Sequence, residues 1–333
     1  MRHICIHVDG FGNIGRAFTR LLLSKSSLLD ALDIRVCGVY DSTGGIYKPD
    51  GIDAQRIEEL LKLPRSSLGS VGSKALNVAE TWRAGDIIVE ATPSIYDESH
   101  PINKRFIELI YSGAVIVTAN KAPLALRPDL IVSYGLPSAG QRLYLSATVM
   151  AGTPLVWLAY GLAGRRVKRL IGVLNATTNY ILTLVEEGYS MKEAIRRAQE
   201  EGIAEPDPSI DIEGYDPAAK LAILSTILGY PRSINDVART PLTAIPEEEV
   251  RSPGEDVRVK YIAYLDPEKA YVRPEKIGTS LAAARVAWNM NAVTIEVEDY
   301  MIEVTGPGGG PSPTAGALLS DLINAARHRE RAV

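Results

Sequence analysis

The sequence predicts an α/β protein, a doubly wound parallel (Rossmann) sheet followed by a second α+β domain. Three observations carry this. Apolar strand-like runs alternate with helical stretches through roughly the first 140 residues. The run Gly10-Phe11-Gly12-Asn13-Ile14-Gly15 falls between the first strand and the first helix. Beyond residue 140 the alternation gives way to helices and strand pairs in no regular order. The expected division is 1–140, completed by a C-terminal helix at 314–330, and 141–313.

His3–Val8 reads as an apolar strand, and a helical stretch follows the glycines to about Ser26. Ile34–Tyr40 is a second strand. Asp53–Leu63 is a helix with Ile57, Leu60 and Leu61 at helical spacing and Asp53 as N-cap. Asp86–Ala91 and Ala114–Thr118 are buried strands separated by a helix at Pro101–Ser112. In the second region Thr153-Pro154 predicts an N-cap followed by proline in the first turn. Val167–Leu174 reads as a strand and Thr177–Glu187 as a helix, and Ser190-Met191-Lys192-Glu193 is a capping box. Asp216-Pro217 opens a helix that ends near Gly229. Val257–Leu265, Ala270–Val272, Ala292–Val297 and Met301–Val304 are strand-like, and Thr314–Arg327 is a final helix.

The chain of 333 residues is too long for one ordinary core. Its net charge of −4 argues against nucleic acid or an anionic membrane as a general partner. The basic run Arg165–Arg169 is expected to be a solvated loop. No signal peptide and no apolar stretch of membrane-spanning length is visible, so a cytoplasmic protein is expected. Cys5 and Cys37 lie in strand-like runs. They could be neighbours across two strands, but reduced thiols are the expectation in the cytosol. No CxxC or His/Cys cluster suggests zinc.

The glycine run has a physical reading. Gly10 permits a tight turn, Gly12 lets the backbone approach a pyrophosphate, and Gly15 lets helix and strand pack closely. The unpaired N–H groups of the helix then face the pyrophosphate. Phe11, Asn13 and Ile14 complete this cofactor loop. Asp41 ends the second strand, where a carboxylate can accept the adenosine ribose hydroxyls of NAD and repel the 2′-phosphate of NADP, so NAD is favoured. Lys48 and Arg56 are the cations that could reverse this. Thr92-Pro93 and Thr118–Lys121 follow the next two strands, at the edge where ligands of open α/β sheets bind. Lys121 therefore faces cofactor or substrate, with a surface lysine as the alternative.

The densest polar cluster runs from Glu205 to Lys220 and holds five acids before one lysine. Asp216 and Lys220, four apart, share a helical face at the edge of an apolar run. A lysine there could exchange a proton with a substrate hydroxyl, and carboxylates suit an ammonium group. The same spacing is also that of an N-cap aspartate and a surface ion pair.

Taken together, these segments resemble homoserine dehydrogenase. The resemblance rests on Gly10–Gly15, Thr118–Lys121, Ala147–Pro154, Gly172–Leu182, Glu205–Lys220 and Thr305–Gly310 with Thr314-Ala315. It implies a short form without kinase or regulatory domain that interconverts L-homoserine and L-aspartate 4-semialdehyde with NAD or NADP, as a homodimer. It further implies Lys220 as the acid/base lysine, Glu205, Asp211, Asp216 and Thr177 as substrate contacts, Lys121 near nicotinamide and substrate, and Gly308 in a loop closing on the cofactor. Backbone carbonyls of Val149, Ala151 and Thr153 would bind a sodium ion. Two departures stand out. Ser146 occupies the place of the family's sodium-binding glutamate, and Ala176 and Met150 replace glycines. Aspartate-semialdehyde dehydrogenase is disfavoured because both cysteines fall inside strands. An NAD-binding regulatory protein without turnover would not need the Glu205–Lys220 cluster.

Overall fold

The computed structural model describes residues 3–331. The chain forms two compact units. The first comprises the chain up to Leu126, Leu130–Thr148 and the chain from Gly310; the second comprises Arg127–Asp129 and Val149–Gly309.

The first unit begins with β1 (Ile4–Asp9), α1 (Asn13–Leu23), β2 (Ile34–Asp41), β3 (Gly44–Tyr47) and α2 (Ala54–Lys62). β4 (Ser73–Lys74), β5 (Ile87–Glu90), α3 (Pro101–Tyr111), β6 (Val115–Thr118) and β7 (Leu143–Tyr144) complete the sheet. Its order is β4-β3-β2-β1-β5-β6-β7. The strands from β2 to β7 run parallel, while β3 and β4 add an antiparallel edge that the sequence reading does not contain. β1 and β5 are buried along their whole length, as strands covered by helices on both faces must be. Asp53 caps α2 as expected, its carboxylate accepting from the Arg56 N–H at 2.9 Å. The final helix (Pro311–Arg331) puts Leu318 and Leu322 into the same core as Phe18 and Leu22 of α1.

In the β1–β2 register, Ile6 pairs with Val36 and His7 with Gly38, so Cys37 is an extra residue in β2. This bulge sets Cys37 against Cys5, and the two form a disulfide. The expectation of reduced thiols is thereby corrected: the bulge brings the Cα atoms to 5.4 Å, within bonding range. His3 Nε2 lies 3.5 Å from Cys5 Sγ, but both sulfurs are engaged with each other and the trio offers no metal site.

The second unit contains β8 (Val167–Val173), α4 (Ala176–Glu186), α5 (Met191–Glu200), α6 (Tyr215–Ile227), β9 (Ala238–Arg239), β10 (Val257–Leu265), β11 (Ala270–Gly278), β12 (Met290–Val297) and β13 (Tyr300–Pro307). Its sheet has the order β13-β12-β8-β10-β11-β9 and is antiparallel except for the β11–β9 pair. The basic run is exposed loop at Arg165 and Arg166, as expected, and continues into β8 from Val167, where Arg169 pairs with Glu296 on β12 at 2.6 Å. α6 is buried on every side from Pro217 to Ile227, so it is a core helix and not an amphipathic surface one.

Two helix starts differ from expectation. The short helix Leu155–Tyr160 takes Pro154 as its N-cap, with no side-chain cap from Thr153. α6 begins at Tyr215 with Gly214 as N-cap in the left-handed conformation (φ 79°). Asp216 is therefore inside the first turn, and its carboxylate is released from capping for other partners. Among the described residues, no helix is long and apolar enough to cross a membrane.

Candidate active site

In the first unit, the three glycines of the run have separate geometric duties. Gly10 has φ 103°, and a Cβ there would meet the backbone of Ala91 at 2.6 Å. A Cβ on Gly15 would lie 2.0 Å from the Gly10 carbonyl oxygen, so only glycine lets α1 start so close to β1. Gly12 has open space where a Cβ would stand. It is also the N-cap of α1, with no side-chain cap and no acid in the first turn, so the helix N–H groups are left to an anion. The loop sits where the strand order reverses, between β1 with β2 on one side and β5 on the other.

Asp41, at the end of β2, is tied into its own surroundings. Its Oδ1 accepts from the Thr43 N–H at 2.8 Å and hydroxyl at 2.6 Å, and its Oδ2 from the N–H groups of Ser67 and Leu68 at 2.9 and 3.0 Å. Partial burial raises its pKa, but the Thr43 hydroxyl and the N–H groups of Leu68, Thr43 and Ser67 outweigh that and hold it below the usual carboxylate range. The cations singled out from sequence do not face it. Lys48 follows β3, whose Tyr47 pairs with Gly38 while Gly44 pairs with Asp41, and it approaches Asp53 at 3.7 Å. Arg56 pairs with Glu59 at 2.8 Å. Arg65 is the cation that sequence reasoning missed. It hydrogen-bonds Asn13 Oδ1 of the glycine loop, on a segment that Arg16 fixes through the carbonyls of Leu61, Leu63 and Pro64. No sequence signal marks it, because that fixing is tertiary. Beyond β5 and β6, Thr92 and Asn120 converge on Glu90, and the Lys121 N–H donates to Ser94 Oγ at 3.0 Å. Pro93 is exposed beside Thr92.

In the second unit, the sequence cluster becomes a real constellation at the start of α4. Asn175 caps that helix, its Oδ1 accepting from the Thr178 N–H at 2.8 Å. Its Nδ2 donates to Asp211 Oδ1 at 2.6 Å and Asp216 Oδ2 at 2.9 Å. Lys220, only 7% exposed, donates to Asp216 Oδ2 and to the Leu174 carbonyl oxygen, both at 2.7 Å. Thr177, one residue into α4, donates to the Ile203 carbonyl at 3.3 Å and also reaches Asp211. Asp211's pKa is raised, first by burial and then by the Asp216 charge. Asn175 was not singled out from sequence, although an asparagine before a helical run is a readable cap signal. Glu205 is exposed and stands outside this hydrogen-bonded group; its backbone carbonyl accepts from Gln199 Nε2 at 3.5 Å. Gly308 packs against Asn291 and Ala176, where a Cβ would come within 2.8 Å of the alanine methyl. Ala176 is accommodated as the first residue of α4. A surface hollow lined by Met191, Ile195, Thr243, Ile245 and Pro246 contains none of these residues.

A dinucleotide crevice on one unit and a buried lysine–carboxylate cluster on the other define the class, a nicotinamide-dependent oxidoreductase. Residues 155–323 match the family described as homoserine dehydrogenase. The chain is 36% identical to the homoserine dehydrogenase of Sulfurisphaera tokodaii over 316 residues, covering 94% of this chain and 96% of that one. It is 31% identical to an NAD(+)-dependent homoserine dehydrogenase of Pseudomonas canavaninivorans, covering 95% and 94%. Among solved structures it resembles a putative homoserine dehydrogenase of Archaeoglobus fulgidus (TM-score 0.82, 30% identity, 96% and 98% covered). It also resembles a hyperthermophilic archaeal homoserine dehydrogenase in complex with NADPH (TM-score 0.79, 26% identity, 98% of both chains). The chain belongs to the homoserine dehydrogenase family, NAD(P)-dependent enzymes of amino-acid biosynthesis that interconvert L-homoserine and L-aspartate 4-semialdehyde.

Proposed function

We propose that the Asn175–Thr177–Asp211–Asp216–Lys220 cluster holds homoserine and that Lys220 handles its hydroxyl proton. The observation that carries this is the charge count. Two half-buried carboxyls, Asp211 and Asp216, face one lysine, and Lys220 pairs directly with Asp216. That leaves Asp211 with the Asn175 amide, the Thr177 hydroxyl and only the more distant field of Lys220, and a substrate ammonium would give it a cation of its own. Glu205 is assigned to the same ligand from the rim. An ammonium has three donors, and Asp216 and Leu174 take two from Lys220, so one remains for the substrate oxygen. In reduction, Lys220 would donate that proton to the substrate oxygen, and in oxidation it would take the proton back; a bound nicotinamide would supply or accept the hydride. The hydride chemistry is the cofactor's, and the protein aligns donor, acceptor and proton. Lys121 supports the nicotinamide end, and Gly308 belongs to the loop that closes on the cofactor.

The cofactor reading places the pyrophosphate on Gly10–Gly15 and the adenosine ribose between Asp41, Asn13 and Arg65. Asp41 opposes a 2′-phosphate and Arg65 favours one; NAD is preferred because Asp41 is held ionised. The sodium ion implied by Val149, Ala151 and Thr153 fits these residues poorly. Ser146 is neutral and gives its N–H to Asp321, and the Thr153 carbonyl accepts the Leu155 N–H at 2.7 Å. No step is derived through sodium. A cytoplasmic homodimer that acts on small molecules and not on nucleic acid or membrane completes the reading. A spectrophotometric assay with homoserine and each cofactor tests it: Lys220→Ala should abolish turnover while NAD(P)H still binds, and turnover retained in that variant overturns the assignment.

A further inference from the structure

Glu90 is a buried acid to which the mechanism above gives no task. It ends β5 and pairs in register with Asp9, which ends β1, at the point where the sheet order reverses. With the adenosine beyond β2, the nicotinamide half of the cofactor falls over β5 and β6.

Its carboxyl gathers both strand exits. The Thr92 N–H donates to Oε1 at 3.2 Å, and the Thr92 hydroxyl donates to the same oxygen. The Thr118 hydroxyl donates to Oε2 at 2.7 Å, and Asn120 Nδ2 donates to Oε1 at 3.3 Å. The ring closes on itself, because Asn120 also donates from Nδ2 to Thr92 Oγ1 at 3.2 Å and from its N–H to Thr118 Oγ1 at 2.9 Å. The Thr92 N–H and the Asn120 amide can only donate, and the two threonine hydroxyls donate to the carboxylate, so all four contacts are charge-assisted when Glu90 is ionised. Protonation lets the Thr118 hydroxyl accept instead and turn to the Asn120 carbonyl at 3.5 Å, which weakens the hold on the two strand exits.

We propose that Glu90 is a positioning residue that clamps Thr92-Pro93 and Asn120-Lys121 against the nicotinamide end of the cofactor, and that the clamp is set by its ionisation. The surroundings place that ionisation near neutrality. Burial pushes the carboxyl up to about 7, the Asp9 charge adds to the rise, and the contacts from Thr92, Thr118 and Asn120 oppose it. Arg105 on α3 binds Asp9 at 2.7 Å and draws off part of that field. His7 on β1 is paired with Asp86, Asp321 on the final helix takes the Ser146 N–H, and Lys121 is the cation on the β6 exit.

The inference rests on the cofactor lying across β1 and β5. The test is NAD(P)H affinity by fluorescence from about pH 5.5 to about pH 8.5, with homoserine KM at saturating cofactor. In the wild type, affinity should weaken as pH falls through the neutral range. Glu90→Gln should bind about tenfold more weakly at the alkaline end, the scale of a lost contact to a charged group, and should show no such limb. Homoserine KM, read at saturating cofactor, should change less than cofactor affinity does, since Glu90 acts through the cofactor. Thr118→Val provides a second arm. It removes a donor to the ionised form, so the limb should move to higher pH. An unchanged limb in both variants overturns the proposal. Gly12→Asp separates the underlying reading: it should abolish binding at every pH, and undiminished binding there means the crevice itself is misassigned.

Discussion

Lys220 Nζ lies 2.7 Å from the Asp216 carboxylate one helical turn before it, and both side chains are almost enclosed. An exposed pair at this spacing would contribute at most about 1 kcal/mol. Enclosed, it cannot lose one partner cheaply, and this shapes the test of the role proposed for Lys220. Lys220→Ala should lower kcat by about a hundredfold or more, the effect of losing a positioned proton-transfer group. It should also cost about 3–5 kcal/mol by stranding Asp216. The double variant Lys220→Ala with Asp216→Ala should recover stability without recovering turnover. Recovered turnover would remove Lys220 from the chemistry.

Asp211 gives a pH prediction for substrate affinity. Its pKa is raised by burial and by Asp216, and only its ionised form attracts an ammonium. Homoserine KM should therefore fall as pH rises through that raised value. Asp211→Asn should raise KM by about 10- to 100-fold and flatten the dependence. A variant KM that still tracks pH as the wild type does would show that another group sets it.

On the proposed reading of the adenosine site, cofactor choice turns on Arg65 against Asp41. Arg65→Ala should lower kcat/KM for NADP by about tenfold and leave NAD nearly unchanged, the scale of one partly shielded charge contact. Asp41→Asn should improve NADP use, but it also weakens four hydrogen bonds and should lower Tm by several degrees. Equal losses with both cofactors in Arg65→Ala would show that Arg65 acts only on the shape of the glycine loop.

The disulfide closes a sequence separation of 32 residues, and chain entropy puts its contribution at about 3–4 kcal/mol. Cys37→Ser, or a strong reductant, should lower the calorimetric Tm, and the two treatments together should add nothing further. A titration of the denatured protein that finds two free thiols would mean the bond is not formed.

Glu90 gives stability a pH slope of its own. Its folded pKa of about 7 lies above the usual 4.5, so folding takes up a proton between those values. Its contribution to stability therefore falls as pH rises from 4.5 to about 7, by on the order of 3 kcal/mol, and Asp9, also raised, adds the same sign. The Tm difference between Glu90→Gln and the wild type should shift in the variant's favour across that window. A constant difference would place the proton elsewhere.

The strand–glycine–helix opening, the α/β alternation, the capped helices at Asp53 and Ser190, and the order of the acids and lysine between Glu205 and Lys220 were all legible in the residue order. These are local: a backbone turn that only glycine fits, a cap, or the helical repeat that puts Asp216 and Lys220 on one face. Tertiary structure decided what those residues meet. A bulge of one residue made Cys37 the partner of Cys5, though periodicity shows no bulge. Burial of α6 on every side turned a spacing typical of a surface pair into an enclosed one, with Asn175 from another helix joining Asp211 to Asp216. The β2 tip is read in the same way. Asp41 was visible in the sequence as a carboxylate at a strand end, but its occupation by the Ser67 and Leu68 N–H groups, and Arg65 beside Asn13, depend on a loop folding back. Charge and hydrogen bonding act through space over a few ångströms, and separation along the chain says nothing about that distance until the sheet order and helix packing are set.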